Sequence, residues 1–68
     1  MSEITLTPGH FYVAKNNEVW CCYRINKKKP VYAQADCIRV SDSRIEYFYL
    51  DGRYDRDGTR EHTLVAEK

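Results

Sequence analysis

Apolar and polar residues alternate along much of this chain with a period of two and never sustain the 3.6-residue period of an amphipathic helix. A two-residue period sends successive side chains to opposite faces of a strand. The pattern therefore predicts an all-β protein with little or no helix. The predicted strands cover residues 10–14, 18–26, 31–40, 45–50 and 62–66.

Residues with turn-forming chemistry separate these strands. Asn16 and Asn17 tolerate positive φ between the first two strands, and a lysine-rich loop that ends at Pro30 precedes the third. Residues 41–44 turn the chain into the fourth strand, and two Asp-Gly pairs, at 51–52 and 57–58, lie before the last one. Short strands and tight turns indicate a compact sheet.

The length of 68 residues predicts a single domain, residues 1–68, with one small core. One Trp, six Tyr and two Phe supply most of its large apolar side chains. Since a flat sheet would leave one face and two edges unprotected, we expect five strands curled into a small SH3-like barrel.

Centring the two inner turns predicts how the strands pair. A symmetric loop at Lys28-Lys29 pairs Cys21 with Cys37, and a turn at 42–43 pairs Cys37 with Phe48. The inner face is then predicted to contain Val19, Cys21, Tyr23, Ile25, Ala33, Ala35, Cys37, Phe48 and Leu50. The opposite face is predicted to contain Trp20, Ile38, Val40, Ile45, Tyr47 and Tyr49.

This opposite face is the candidate binding site, because contiguous apolar patches on soluble proteins mark interaction surfaces. Trp20, Tyr47 and Tyr49 are the predicted protein-binding anchors, with Arg53 and Tyr54 of the adjacent loop as rim contacts. Two alternatives stay open. A strongly bent barrel buries both faces, or the N-terminal segment 4–6 covers the patch. The surplus of aromatic residues also favours a homodimer through this face.

Nucleic-acid binding is the alternative function. Lys27, Lys28 and Lys29, with Arg24 and Tyr32 close by in sequence, combine positive charge with an aromatic ring that bases can stack on. The formal net charge of only +1 and the acidic loop after the fourth strand argue against it. We therefore favour a protein partner.

Catalytic, metal and cofactor sites are not predicted. His10 and His62 lack the spacing of zinc ligands, and a chain this short has little room for a catalytic pocket. The three cysteines form an odd set, and the adjacent Cys21 and Cys22 point to opposite faces of a strand. We expect three reduced thiols and no enzymatic activity.

The N-terminal residues lack the basic and apolar regions of a secretory signal, and no apolar run approaches the ~18 residues of a membrane span. The sequence thus predicts a cytoplasmic protein that does not bind membranes.

Three stretches resemble small uncharacterised proteins of tailed bacteriophages and prophages. They are L-T-P-G-H-F-Y at 6–12, Y-L-D-G-R-Y at 49–54 with the later Gly58, and L-V-A-E at 64–67. The resemblance implies a small β-barrel that acts in the bacterial host cytoplasm by stoichiometric binding to a host or phage protein. Inhibition of a host defence is one such role. The resemblance implies no catalytic chemistry.

Overall fold

The computed structural model describes residues 4–68, and this part of the chain forms five β-strands and one turn of 3-10 helix. The predicted all-β class is confirmed. The first three residues of the predicted domain lie outside the described residues. The elements are β1 (Phe11–Ala14), β2 (Val19–Ile25), the 3-10 helix (Val31–Ala33), β3 (Ala35–Arg39), β4 (Ile45–Phe48) and β5 (Leu64–Glu67).

The strands form one antiparallel sheet with the order β4-β3-β2-β1-β5, so the last strand returns to pair with the first. Among the described residues β4 and β5 do not pair with each other, and the sheet is open. Two main-chain hydrogen bonds nevertheless bridge the gap. Leu6 N–H donates to Leu50 O and Leu64 N–H to Gly52 O, both at 2.8 Å. They tie the segment after β4 to the N-terminal segment and to β5.

The third strand begins later than predicted, because residues 26–34 form a structured loop. The 3-10 helix follows Pro30, and Asn26 N–H donates to Gln34 O at 2.8 Å to close the loop. The Gln34 side-chain amide donates to the carbonyls of Lys27 and Lys29 at 3.2 and 3.1 Å. These bonds satisfy main-chain groups that a longer strand would have paired in the sheet.

The observed register differs from the predicted one by a single residue, since Cys22 and not Cys21 lies opposite Cys37. A slip of one residue moves every side chain to the other face. A bulge between Cys22 and Arg24 then brings Ile25 back to the inner side, opposite Ala35. Between β3 and β4 the slip is two residues, which leaves the faces unchanged. The inward assignments of Val19, Cys21 and Tyr23 were therefore wrong, and Ala33 lies in the 3-10 helix.

The inner face carries the core. Its largest completely buried side chains are those of Trp20, Tyr12, Phe48, Cys22 and Cys37. Four rings form a closed cycle of edge-to-face contacts: centroid distances are 5.2 Å for Trp20–Phe48, 5.4 Å for Phe48–Tyr54, 5.4 Å for Tyr54–His62 and 6.1 Å for His62–Trp20. Leu6 is buried in this core and Ile4 packs against it. The N-terminal segment thus covers the inner face, not the opposite one.

Within residues 4–68, no helix has the length and apolarity that crossing a bilayer requires.

Candidate functional site

The outer face, the side of the sheet away from the core, carries an apolar row that crosses four neighbouring strands. Phe11 pairs with Cys21, Cys21 with Ile38, and Ile38 with Ile45. A second row lies beside it, where Val13 pairs with Val19 and Val40 N–H donates to Val19 O at 3.0 Å. Tyr23 and Tyr47 extend the face on the other side of the first row. The outer face comprises Phe11, Val13, Val19, Cys21, Tyr23, Ile38, Val40, Ile45 and Tyr47.

Several of these side chains are unusually accessible for apolar residues. Phe11, Ile45 and Tyr47 keep 47%, 51% and 51% of their surface exposed, and Val40 keeps 54%. Phe11, Val19 and Val40, with Lys68 at the rim, line a groove of about 440 Å³. A shallow apolar groove beside protruding rings is a shape that another apolar surface can occupy.

An ion pair between Lys29 and Asp36 lies at one end of the outer face. Asp36 lies opposite Tyr47 in the β3–β4 ladder and is almost completely buried, and its carboxylate accepts a hydrogen bond from Lys29 Nζ at 3.4 Å. The same ammonium lies 4.9 Å from the centre of the Tyr47 ring. Burial, and then the Asp36 carboxylate, raise the pKa of Tyr23. The Asp36 and Lys29 charges are therefore paired with each other, whereas Arg24, opposite Asp36, is exposed.

Of the predicted anchors, Tyr47 lies on the outer face and Trp20 does not. Trp20 is completely buried, packs edge-on against Phe48, and has the Arg39 guanidinium 5.6 Å from its ring centre. Its assignment to an exposed face was wrong because the β2–β3 loop is not symmetric. Ile38, Val40 and Ile45 do lie on the outer face, as predicted. The accessible residues that sequence reasoning placed inside are Val19, Cys21 and Tyr23.

The other predicted partner-binding residues, Tyr49, Arg53 and Tyr54, follow the end of β4. Tyr49 is half-buried and stacks against Arg53, whose guanidinium carbon is 4.5 Å from the ring centre. Arg53 also pairs with Asp51 at 2.8 Å. Tyr54 packs on Phe48, and its hydroxyl donates to Glu46 at 3.0 Å. The three side chains therefore already have partners inside the protein.

In the basic loop, Lys27 to Lys29, one lysine contacts other side chains of the protein and the other two are exposed. Lys29 is occupied by Asp36 and Tyr47, whereas Lys27, Lys28 and the neighbouring Arg24 are exposed. Tyr32 keeps 54% of its surface accessible on the 3-10 helix. Only part of the predicted nucleic-acid-binding set is thus available to a ligand.

A polar network that sequence reasoning missed is centred on Glu18, immediately before the start of β2. Glu18 accepts hydrogen bonds from Arg39 at 2.6 Å and from His62 Nδ1 at 2.8 Å. Burial acts to raise the pKa of Glu18, but its hydrogen bonds with Asn16, His62 and Arg39 lower it overall. The hydrogen bonds of Arg39 with Asp42 lower the pKa of that carboxyl to about 2. Arg39 and His62 lie 21 and 44 positions from Glu18, so the sequence spacing does not indicate these contacts.

The buried thiols of Cys22 and Cys37 face each other across β2 and β3. The main chain of Cys22 bonds to the segment on its other side: Cys22 N–H donates to His10 O at 3.1 Å, and Cys22 O accepts from Gly9 N–H at 2.7 Å. Cys22 and Cys37 are therefore a non-hydrogen-bonded pair of the β2–β3 ladder, and in such pairs the side chains approach closely. The hydrogen bond with Cys22, together with burial, raises the pKa of Cys37. All three cysteines are free, as predicted, and the raised pKa makes the Cys37 thiol a poor nucleophile.

Comparison of the chain with known protein families, curated proteins and solved structures gave no significant match. The resemblance to phage proteins is not tested by this result and stays a prediction.

Proposed function

We propose that this chain is a small stoichiometric binding module whose ligand is another protein, bound through the outer face. The observation that supports this most strongly is the apolar row from Phe11 to Ile45, which crosses four strands without a charged side chain. An antiparallel sheet with one face in water normally places polar residues on that face. An apolar second face is costly to leave hydrated, and binding a partner relieves that cost.

The placement of the N-terminal segment strengthens this proposal. Leu6 and Ile4 belong to the inner core, so the described residues provide no intramolecular cover for the outer face. Apart from the Asp36–Lys29 pair at one end, the side chains that form the outer face are aliphatic, aromatic or a cysteine, and they are not arranged as a catalytic acid–base pair. Its chemistry fits recognition by shape and apolar contact and not catalysis.

The barrel, the phage origin and the cytoplasmic location belong to the same proposal. The bonds of Leu6 with Leu50 and of Leu64 with Gly52 support an SH3-like arrangement, because they connect the two ends of the meander. The resemblance of residues 6–12 and 49–54 to phage proteins supports a host or phage protein as the partner, with inhibition of host defence as one outcome.

Nucleic-acid binding remains the second candidate because Lys27, Lys28 and Tyr32 are each exposed. The two functions respond differently to salt. Phosphate contacts release counterions and weaken steeply as the salt concentration rises, whereas an apolar protein interface changes little.

The proposal is tested by capture from a bacterial lysate with three forms of the protein: wild type, Val40→Lys and Val65→Lys. Val40 lies on the outer face and is 54% exposed, whereas Val65 is 42% exposed and lines a separate cavity with Ile4 and Leu64. We expect a near-equimolar partner that resists high salt, binds wild type and Val65→Lys, and is lost with Val40→Lys. Equal capture by both variants, or loss of the partner between ~0.1 and ~0.5 M salt, refutes the proposal.

A further inference from the structure

The outer face is complementary to itself. Its protruding rings, Tyr23 and Tyr47, lie on one side of the central apolar row, and its groove, with Val19 and Val40, lies on the other. A twofold axis along the row Phe11–Cys21–Ile38–Ile45 exchanges these two sides. The tyrosine rings of one protomer then lie above the valines of its partner. The central rows of the two protomers face each other.

We infer that, in the absence of another partner, a second copy of this chain occupies the outer face and forms a face-to-face dimer. This inference rests on the proposed function, because it names the first occupant of the same binding surface. The dimer is isologous, since each protomer supplies both the rings and the groove. The two sheets pack about 10 Å apart with nearly aligned strands, as in a β-sandwich.

The exposed area is large enough for such a dimer. Five side chains of the outer face keep between 45% and 54% of their surface accessible: Phe11, Tyr23, Val40, Ile45 and Tyr47. At no more than about 250 Å² for an aromatic side chain, and less for Val and Ile, they expose at most roughly 600 Å² per protomer. Complete burial of this area in two copies gives at most about 1,200 Å², which is the lower limit of specific interfaces. We therefore expect a dimer that assembles in the micromolar range and not a permanent one.

The charge distribution allows two identical faces to meet. The central row contains no charged side chain, and the carboxylate of Asp36, beside Tyr47, is buried and paired with Lys29 at 3.4 Å. A face dominated by one sign of charge would repel its own copy and select an oppositely charged partner. With a net charge of +1 for the whole chain, long-range repulsion between copies is small.

Sedimentation equilibrium of purified protein between about 1 and about 500 μM tests the inference. The mass of wild type and of Val65→Lys is expected to rise from 8.1 kDa towards twice that value. Val40→Lys should remain monomeric or raise the dimer Kd at least ~10-fold, with an unchanged circular dichroism spectrum. If Val40→Lys does not fold, Tyr47→Ala replaces it, with the same expectation. A monomeric wild type, or equal dimerisation of the outer-face variant and Val65→Lys, overturns the inference.

The same variants separate failure of the dimer from failure of the proposed function. A monomeric wild type that still captures a lysate protein, with the capture lost in Val40→Lys alone, refutes the dimer and retains the binding module. A dimer that Val40→Lys dissociates confirms the second copy as an occupant, whether or not a lysate protein is captured.

Discussion

Gly52 and Gly9 allow the cost of one close contact to be measured separately from the cost of a backbone conformation. The two residues have nearly the same φ, +92° and +89°. An added Cβ at Gly9 meets nothing within 4 Å, whereas at Gly52 it would lie 2.7 Å from Leu64 O and 3.0 Å from Ile4 Cδ1. Gly9→Ala is therefore a matched control for Gly52→Ala.

Both substitutions force an L side chain into the left-handed region, which costs about 1–2 kcal/mol. Gly52→Ala must in addition move the β5 main chain or the Gly52–Leu64 bond, and overpacking of this kind costs about 1–3 kcal/mol. We expect Gly9→Ala to lose about 1–2 kcal/mol of unfolding free energy and Gly52→Ala about 2–5 kcal/mol. Each kcal/mol corresponds to about 4–8 °C in Tm for a domain of this size.

Urea unfolding followed by circular dichroism measures both losses on the same scale. Equal destabilisation by the two substitutions would show that the Gly52–Leu64 approach relaxes freely. The bridge between the segment after β4 and β5 would then contribute little to stability.

Three further predictions follow from adjacent or paired residues. Phe48→Ala should cost about 3–5 kcal/mol of stability because Phe48 is completely buried, whereas the half-exposed Tyr47→Ala should leave Tm nearly unchanged; similar Tm values would contradict the assignment of faces. Because Arg39 lowers the pKa of Asp42 to about 2, the carboxylate stabilises the protein above its ordinary pKa and this contribution disappears as pH falls through about 2. Thermal melts from pH ~5 to ~2 should fall more steeply for wild type than for Asp42→Asn, and parallel curves would contradict the ion pair. Alkylation after unfolding without reductant should modify all three cysteines, and a mass two hydrogens lower with one free thiol would reveal a Cys22–Cys37 disulfide.

The sequence was sufficient for the strand content because alternation and turn chemistry are local properties. Asn17 adopts the positive φ expected of the first turn. Four of the five strands lie within the predicted ranges, and β5 extends one residue beyond its range. The faces of β2 were not predictable in the same way. They depend on the hydrogen bonds of Gln34 with the loop carbonyls and on the bulge near Tyr23, and neither follows from periodicity.

The candidate site was predicted in part for the same reason. Ile38 lies on β3, Val40 follows it, and Ile45 and Tyr47 lie on β4. The two-residue slip between these strands preserved their faces. Trp20 lies on β2, where the one-residue slip exchanged the inner and outer faces. The predicted anchor Trp20 is therefore buried, and Val19 and Cys21 lie on the outer face instead. The Glu18 network required contacts between residues up to 44 positions apart, which a single sequence does not reveal.

The pairing of β1 with β5 constrains when this protein can fold during synthesis. Tyr12 pairs with Glu67, so the sheet is incomplete until the residues of β5 have left the ribosome. Until then β1, which includes the half-exposed Phe11, is an unprotected edge strand, and such an edge is a template for pairing with another chain. The β2-β3-β4 meander has only short-range pairings and can form earlier. We therefore expect nascent chains that stop before residue 64 to be the form most prone to aggregation.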